Sequence, residues 1–546
     1  LAAFSRTTFD LVVIGGGING AATAREAALR GLKVALVDAR DFAGATSSRS
    51  SKLIHGGLRY LEQFEFRLVH EARRERRLLR KLAPHLAWPV PFLVPIYHGD
   101  PYSPLKLRLG LSIYDLLGNL GAADRHQSLS TEALLRRIPT LQADGLRAGA
   151  LYHDSLTDDA RLTVENIVDA AAHGAVIANY AEILGFTLNT RKANGSPVVA
   201  TAELEDRQTG KRYEISSRFW VNATGPWVDP VRALLPGYDG SKTVRLTKGT
   251  HIVIPPVAGD FAMFAAILPG KRIFVMMPWH RHALLGTTDT DYDADPGQVR
   301  PDREDVEYLL AALNRVLRKP LVTSDVIGSF AGLRALAIQP GASPSENTRE
   351  YRFHQDPWAD NLITICGGKL TTSRSLAEKL VDQVVTSLPG SSPAAWTTHP
   401  TRKAPLPGGH TDDFETYSKD AAADAVRLFD IPRAAAERIV QTYGTRWQQV
   451  LELIRADRRL ADPLPGSEEC LGAEVAFAIE NEMALEVDDF LLRRSGLNWY
   501  AAYALREAVP RVAEIFAERL GWDKARREGS IREFQKSGHF SAEPAT

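Results

Sequence analysis

The stretch FDLVVIGGGINGAATAREAALRGLKVALVDA, residues 9–39, decides the fold. Leu11–Ile14 is the short apolar run expected of a parallel strand buried on both faces, and Val34–Val37 is a second. Between them the alanine-rich segment Ala21–Arg30 reads as a helix that stops at Gly31. This is one βαβ unit. At its first turn Gly15, Gly17 and Gly20 stand in GxGxxG register, where glycine lets the backbone approach a pyrophosphate at the helix N-terminus. Asp38 ends the second strand, where a carboxylate accepts hydrogen bonds from ribose hydroxyls. Strand, glycines, helix and acid in this order favour dinucleotide binding over a bare tight turn. The same unit serves FAD and NAD alike.

Two further features favour FAD. The unit stands near the start of the chain, and the chain returns to glycine-bearing strand ends at NATGPW, with Ala223 and Gly225, and at LITICGGKLTTSRSLAEKL, residues 362–380. A long cofactor gripped by distant segments would produce this pattern. Gly367 and Gly368 precede an expected helix whose N-terminal amides can stabilise negative charge on a flavin, and Leu370 and Thr371 follow them. Each turn taken alone could be structural. In ATSSRSSKLIHGGLRYLE, residues 45–62, small hydroxyl residues crowd together with two glycines, His55, Arg59 and Tyr60. Thr46, Ser47, Ser51, Lys52 and Leu53 are assigned to the cofactor, since small residues permit close packing against a flat ring system.

Around these motifs the 546 residues divide into about three units. The expected fold is α/β: a Rossmann-like FAD-binding domain, a β-rich substrate domain and a C-terminal helical domain. The FAD-binding part is discontinuous, residues 9–90 with 150–240 and 330–390. The substrate part takes 91–149 with 241–329, and the helical domain 400–546. Helices are expected at 66–83 and about 160–173, and strands at 251–256 and 283–292. Apolar residues make up 44% and charged residues 24%, the composition of an ordinary folded protein. The 66 basic residues equal the 66 acidic ones, so no global field draws the chain to nucleic acid or to a membrane. Cys366 and Cys470 have no metal-ligand spacing, so no metal is expected and a reducing compartment is. No signal-peptide order and no spanning apolar run is present, which makes a cytoplasmic location the expectation, with attachment to a membrane surface open.

The strings GGGINGA, ATSSRSSKLIHGGLRYLE, EFRLV, DDARL, NATGPWV, KGTHIV, GTTD and GGKLTT, in this order over most of residues 9–400, resemble the flavin-dependent glycerol-3-phosphate dehydrogenase family. That family belongs to the two-domain flavoproteins that include D-amino-acid oxidase. DDFLLRRSGL, residues 488–497, is similar to the family's C-terminal domain, less tightly. The resemblance implies oxidation of sn-glycerol 3-phosphate to dihydroxyacetone phosphate with FAD as acceptor. Imidazole suits proton transfer near neutral pH, so His55 is the expected base; the alternative is a histidine that hydrogen-bonds the flavin or a carbonyl. Arg334, Arg349 and Lys369 stand where the family's phosphate-binding and active-site cations stand, with Arg59 and Tyr60 expected in the same pocket. Ala335 follows Arg334 where the family often has proline. His251, Thr287, Thr288 and Asp289 match family strings and are given structural or flavin-side roles.

Family members pass electrons to membrane quinone or to dioxygen. Quinone is the expected acceptor here and a glycerol-3-phosphate oxidase the alternative; a more distant one is an amine or amino-acid oxidase, and a flavin-binding scaffold without turnover a third. Arg67, Arg73, Arg74, Arg76, Arg77, Arg80 and Lys81 form a basic stretch able to meet anionic headgroups at the inner-membrane surface. Leu105–Leu117 supplies apolar side chains nearby. Its period fits a half-buried strand as well as a helix striped by Leu105, Leu109, Ile113 and Leu116. A homodimer is left open.

Overall fold

The computed structural model describes residues 4–58, 65–118, 125–190, 195–267, 272–338, 351–388, 394–497 and 502–536. The strand Thr8–Ile14 runs parallel to Val34–Val37 on one side and to Arg212–Asn222 on the other. Leu362–Cys366 and Val176–Ala178 extend the parallel sheet outward, and Arg352–Gln355 closes one edge antiparallel. Leu11, Val12 and Val13 have no exposed surface, as the unbroken apolar run required. One face of the sheet is covered by helices Ile18–Leu29, Asp159–Ala172 and Ser373–Ser387. Ala21, Ala24, Ala27 and Ala28 let the first of these lie close to the sheet. The other face is covered by the antiparallel strands Ala181–Thr190 and Pro197–Asp206, packed around Trp220.

The second sheet is mostly antiparallel and is built around Val244–Ile254. Gly328–Ala337 pairs with that strand along its length, with Thr247 opposite Arg334 and His251 opposite Phe330. Ala87–Tyr97 pairs with Leu146–Thr157, which also carries the short strand Leu53–Ile54. These pairings correct three expected boundaries, the first because residues 87–90 already pair in the second sheet. Leu146–Thr157 and Gly328–Ala337 belong to the second sheet, so the chain crosses between sheets at about Asp158 and beyond Ala337, not at 150 and 330. Long ladders outweigh any composition signal there, because each strand satisfies its backbone groups only beside its partner.

The segment Pro104–Gly118 is a helix, which resolves its ambiguous period. The face turned inward carries Leu111 and Tyr114, while Leu105, Leu109 and Leu116 are 76%, 61% and 80% exposed. Among the described residues, no helix is long and apolar enough to cross a membrane. Beyond Pro400 the chain forms helices Phe414–Phe429, Arg433–Tyr443, Trp447–Ala456, Gly472–Glu482, Ala502–Leu520 and Lys524–Lys536 around their own apolar core. Burying each large aliphatic side chain there contributes about 1.5–3 kcal/mol. Buried ion pairs fasten this unit to the nucleotide sheet: Arg161 Nη1 meets Glu482 at 2.6 Å, and Arg446 Nη1 meets Glu165 at 2.7 Å.

Candidate active site

A cavity of about 820 Å³ runs from the C-terminal edge of the parallel sheet to the face of the second sheet. At its first end stands the glycine turn. A side chain on Gly15 would meet the Ala223 carbonyl oxygen at 2.8 Å, so the first and second glycine-bearing turns touch backbone to backbone. Gly15 has φ +106°, a conformation that glycine alone adopts without strain. Gly20 does not line the cavity; its Cα faces the Gly15 carbonyl, and any side chain would collide there. Ser47 Oγ accepts from the Ile18 amide at 2.9 Å, tying the hydroxyl-rich segment to the start of the first helix. Asn19 Nδ2 donates to the Gly367 carbonyl at 3.3 Å, which brings in the third turn.

Asp38 lies at the rim of the same end. Its Oδ2 accepts from the Gly16 amide at 2.7 Å and its Oδ1 from the Arg40 amide at 2.9 Å. Burial pushes its carboxyl up to about 6 despite those two bonds. Ala181, Glu182, Ile183 and Arg207 line the cavity beside it, with the Ala181 amide donating to the Asp38 carbonyl at 2.7 Å. Arg49 lines the middle of the cavity, where burial and the cations Arg300, Arg493 and Arg40 push its guanidinium down to about 10. It gives the wall a positive potential suited to a pyrophosphate.

His55, Arg334 and Lys369 line the same cavity. The His55 amide donates to Thr371 Oγ1 at 3.2 Å, so the HGG turn and the GGKLTT turn are joined directly. Beneath them the Gly56 amide donates to Asp154 Oδ1 at 3.0 Å, and Asp154 is itself bound by Arg76 and by the Tyr114 hydroxyl. A side chain at Gly56 would collide with Tyr114. Arg73 donates to the Tyr114 carbonyl. Arg73 and Arg76 are therefore buried supports of the active-site turn and not part of a lipid-facing basic patch; Arg67, Arg74, Arg77 and Lys81 remain exposed.

Arg334 extends from its strand to Thr287 Oγ1 at 3.1 Å, the Thr288 carbonyl at 3.3 Å and Asp289 at 3.2 Å, with 30% of its side chain exposed. Gly249 makes room for the guanidinium, since a Cβ there would come within 2.7 Å of Nη2. His251 lines the cavity between Ser51, whose Oγ is 2.8 Å from Nε2, and the ring of Phe330, stacked at 5.0 Å. Burial, with Arg334 and Lys52 nearby, pushes its imidazole down to about 3, so it stays neutral at working pH. Lys52 does not reach the cavity: its Nζ binds Asp159 at 2.5 Å and the Ser48 carbonyl at 3.2 Å. Thr46, Ser51, Leu53, Ala223, Gly225, Gly368, Leu370 and Thr371 line it. Arg59, Tyr60 and Arg349 lie outside the described residues.

The elongated cavity, its glycine cradles and the carboxylate at one end fit FAD. A family model described as FAD dependent oxidoreductase matches residues 10–383, and one described as the C-terminal domain of alpha-glycerophosphate oxidase matches 399–527. An aerobic glycerol-3-phosphate dehydrogenase of Staphylococcus aureus is 34% identical over 537 residues, 97% of this chain and 94% of that protein. The chain belongs to the FAD-dependent glycerol-3-phosphate dehydrogenase family. The Bacillus halodurans glycerol-3-phosphate dehydrogenase, solved in complex with FAD, aligns with TM-score 0.79 at 27% identity, covering 100% of this chain and 97% of that one. The FAD-bound L-alpha-glycerophosphate oxidase of Mycoplasma pneumoniae shares the fold over 72% of this chain and 98% of its own, with TM-score 0.54 and 17% identity. The protein is an FAD-dependent oxidoreductase, and the sequence reading of fold and cofactor is borne out.

Sequence reasoning missed Arg40, Asp41, Arg49, Phe92, Tyr152 and Asp154 on the cavity wall. Arg40 and Asp41 follow Asp38 directly, a signal available in the sequence. Asp154 gave none, because its partners Arg76 and Tyr114 are distant in the chain.

Proposed function

We propose that this protein oxidises sn-glycerol 3-phosphate to dihydroxyacetone phosphate and passes the electrons to a membrane quinone. The observation that carries the reading is that His55, Arg334 and Lys369, from three distant segments, all line the one cavity. Bound FAD supplies the two-electron acceptor. His55 takes the proton of the secondary hydroxyl as the carbonyl forms. Arg334 and Lys369 hold the phosphate dianion, with Arg59, Tyr60 and Arg349 assigned to the same pocket from the sequence. Thr287, Thr288 and Asp289 fix the guanidinium of Arg334, so little order is lost when it binds an anion. The names of the relatives, glycerol-3-phosphate dehydrogenases, support this substrate.

The exposed leucines of Pro104–Gly118, flanked by exposed Lys106 and Arg108 and by Phe66, 44% exposed, support peripheral attachment to the cytoplasmic face of a membrane. A surface helix laid in the headgroup region would bring the acceptor within reach. The match of the C-terminal unit to an oxidase model favours a second reading, with dioxygen as acceptor. Anaerobic addition of glycerol 3-phosphate should bleach the flavin absorbance; no bleaching sinks the substrate. Reoxidation by a soluble quinone analogue should then outpace reoxidation by air. Stoichiometric peroxide at the faster rate would select the oxidase.

A further inference from the structure

The loop that carries Asp38 is held by the far end of the chain. Residues 38–44 fold back over the glycine turn: the Ala43 amide donates to the Gly16 carbonyl at 3.1 Å, and Phe42 is buried against Gly16. Asp38, Ala39, Arg40 and Asp41 line the cavity, yet Asp41 is only 2% exposed. Its carboxylate is gripped by two arginines on the π-helical turn Phe490–Arg494 of the C-terminal unit. Arg494 forks onto it, Nη1 to Oδ2 at 2.6 Å and Nη2 to Oδ1 at 2.8 Å, and Arg493 Nε donates to Oδ2. The rest of the junction is equally specific. Arg493 Nη2 and the Tyr180 hydroxyl both meet Asp489 Oδ1 at 2.7 Å, and the Tyr180 amide donates to the Arg40 carbonyl at 3.1 Å. Asn179 Nδ2 bridges Asp41 at 3.2 Å and the Met483 carbonyl at 2.8 Å.

We propose that Arg494 and Arg493 make the C-terminal helical unit a clamp on the nucleotide end of the FAD site. They are positioning residues: by fixing Asp41 they fix the 38–44 loop in the conformation that presents the Asp38 carboxylate, so that FAD meets an ordered wall. A bidentate pair buried between two units sets geometry, and removing Arg494 leaves the buried Asp41 carboxylate with only Arg493 and Asn179, which costs the loop most of its fixed orientation. A preordered loop binds more tightly because its ordering is complete before the ligand arrives.

The test is titration of the deflavinated full-length protein with FAD, followed by quenching of flavin fluorescence. No alcohol substrate is present, so the outcome is independent of the proposed substrate. Arg494→Met and Asp41→Asn should each weaken FAD roughly tenfold to a hundredfold, and the double variant no more than the worse single one. ADP, which carries only the nucleotide half, should lose competing strength by a similar factor. Arg493→Lys, which keeps a cation, should retain more affinity than Arg493→Met. Arg446→Gln loosens the same interface through Glu165 without touching the loop, and should leave FAD affinity unchanged. A merely structural role would lower the melting temperatures of the apoprotein and the FAD-loaded protein equally; the clamp predicts a smaller FAD-induced rise in Arg494→Met. Unchanged FAD affinity in Arg494→Met, or an equal loss in Arg446→Gln, overturns the proposal. Should Arg494→Met fail to fold, unchanged affinity in both Arg493→Met and Asp41→Asn overturns it as well.

Discussion

The two ends of the cavity are built on different principles. At the nucleotide end the glycine turn, the first helix and Asp38 come from one continuous stretch, residues 9–39, and the geometry is local. At the reaction end His55, Arg334 and Lys369 come from segments about 280 and 35 residues apart and placed on two sheets; the His55 amide is tied to Thr371, and the Gly56–Asp154–Arg76 chain of hydrogen bonds braces the HGG turn from behind. The nucleotide end needs a distant brace only for the loop that follows Asp38, whereas the reaction end depends throughout on buried supports that never touch substrate.

The largest expected effect is at the reaction end. His55→Ala should lower kcat by roughly two orders of magnitude or more, the scale of a lost general base; steady-state rates near normal would remove that role. Arg76→Met leaves Asp154 buried without its cation and should destabilise the fold by about 3–5 kcal/mol, read as a fall in the denaturation midpoint. If activity and midpoint both survive, the HGG turn does not need its support. Arg334→Ala should raise KM for glycerol 3-phosphate about tenfold to a hundredfold while leaving KM for glycerol nearly unchanged. Equal changes for both alcohols would show that Arg334 does not hold the phosphate.

At the nucleotide end the effects are smaller and depend on pH. The Asp38 carboxyl is raised to about 6, and its ionised form is the stronger acceptor for the ribose hydroxyls expected there. As pH falls through 6 it takes up a proton, and FAD affinity should drop about tenfold per pH unit. Above 6 the affinity should be flat. Asp38→Asn should bind FAD more weakly at pH 8 and show no such dependence; a titration that kept the acid limb would assign it to another group.

Legibility followed the same division. The βαβ unit was readable because its signals are contiguous, and its strands, helix and acid lie where the sequence placed them. The helix Phe66–Leu82 was also found, but its basic face was not understood. Arg73 and Arg76 look like neighbours of Arg74 and Arg77 in sequence and differ only through Tyr114 and Asp154, which the string does not reveal. Lys52 was placed on the cofactor by proximity to the hydroxyl run, yet Asp159 draws its ammonium away. Leu105–Leu117 was ambiguous since leucine recurs on every face, and only packing against Leu111 and Tyr114 separates inside from outside. Asp41 drew no reading at all, because its arginines lie some 450 positions later.

The interleaving of the two sheets also bears on how the protein is made. The strand Thr8–Ile14 leaves the ribosome early, but its neighbour Arg212–Asn222 and the flanking Leu362–Cys366 emerge much later, and strands of the second sheet emerge between them. Neither sheet can close while the chain is half synthesised, so the nascent protein exposes unpaired edges through most of translation. The flavin cavity is complete only once the turn after Leu362–Cys366 has emerged, since Gly367, Gly368 and Thr371 form part of its wall.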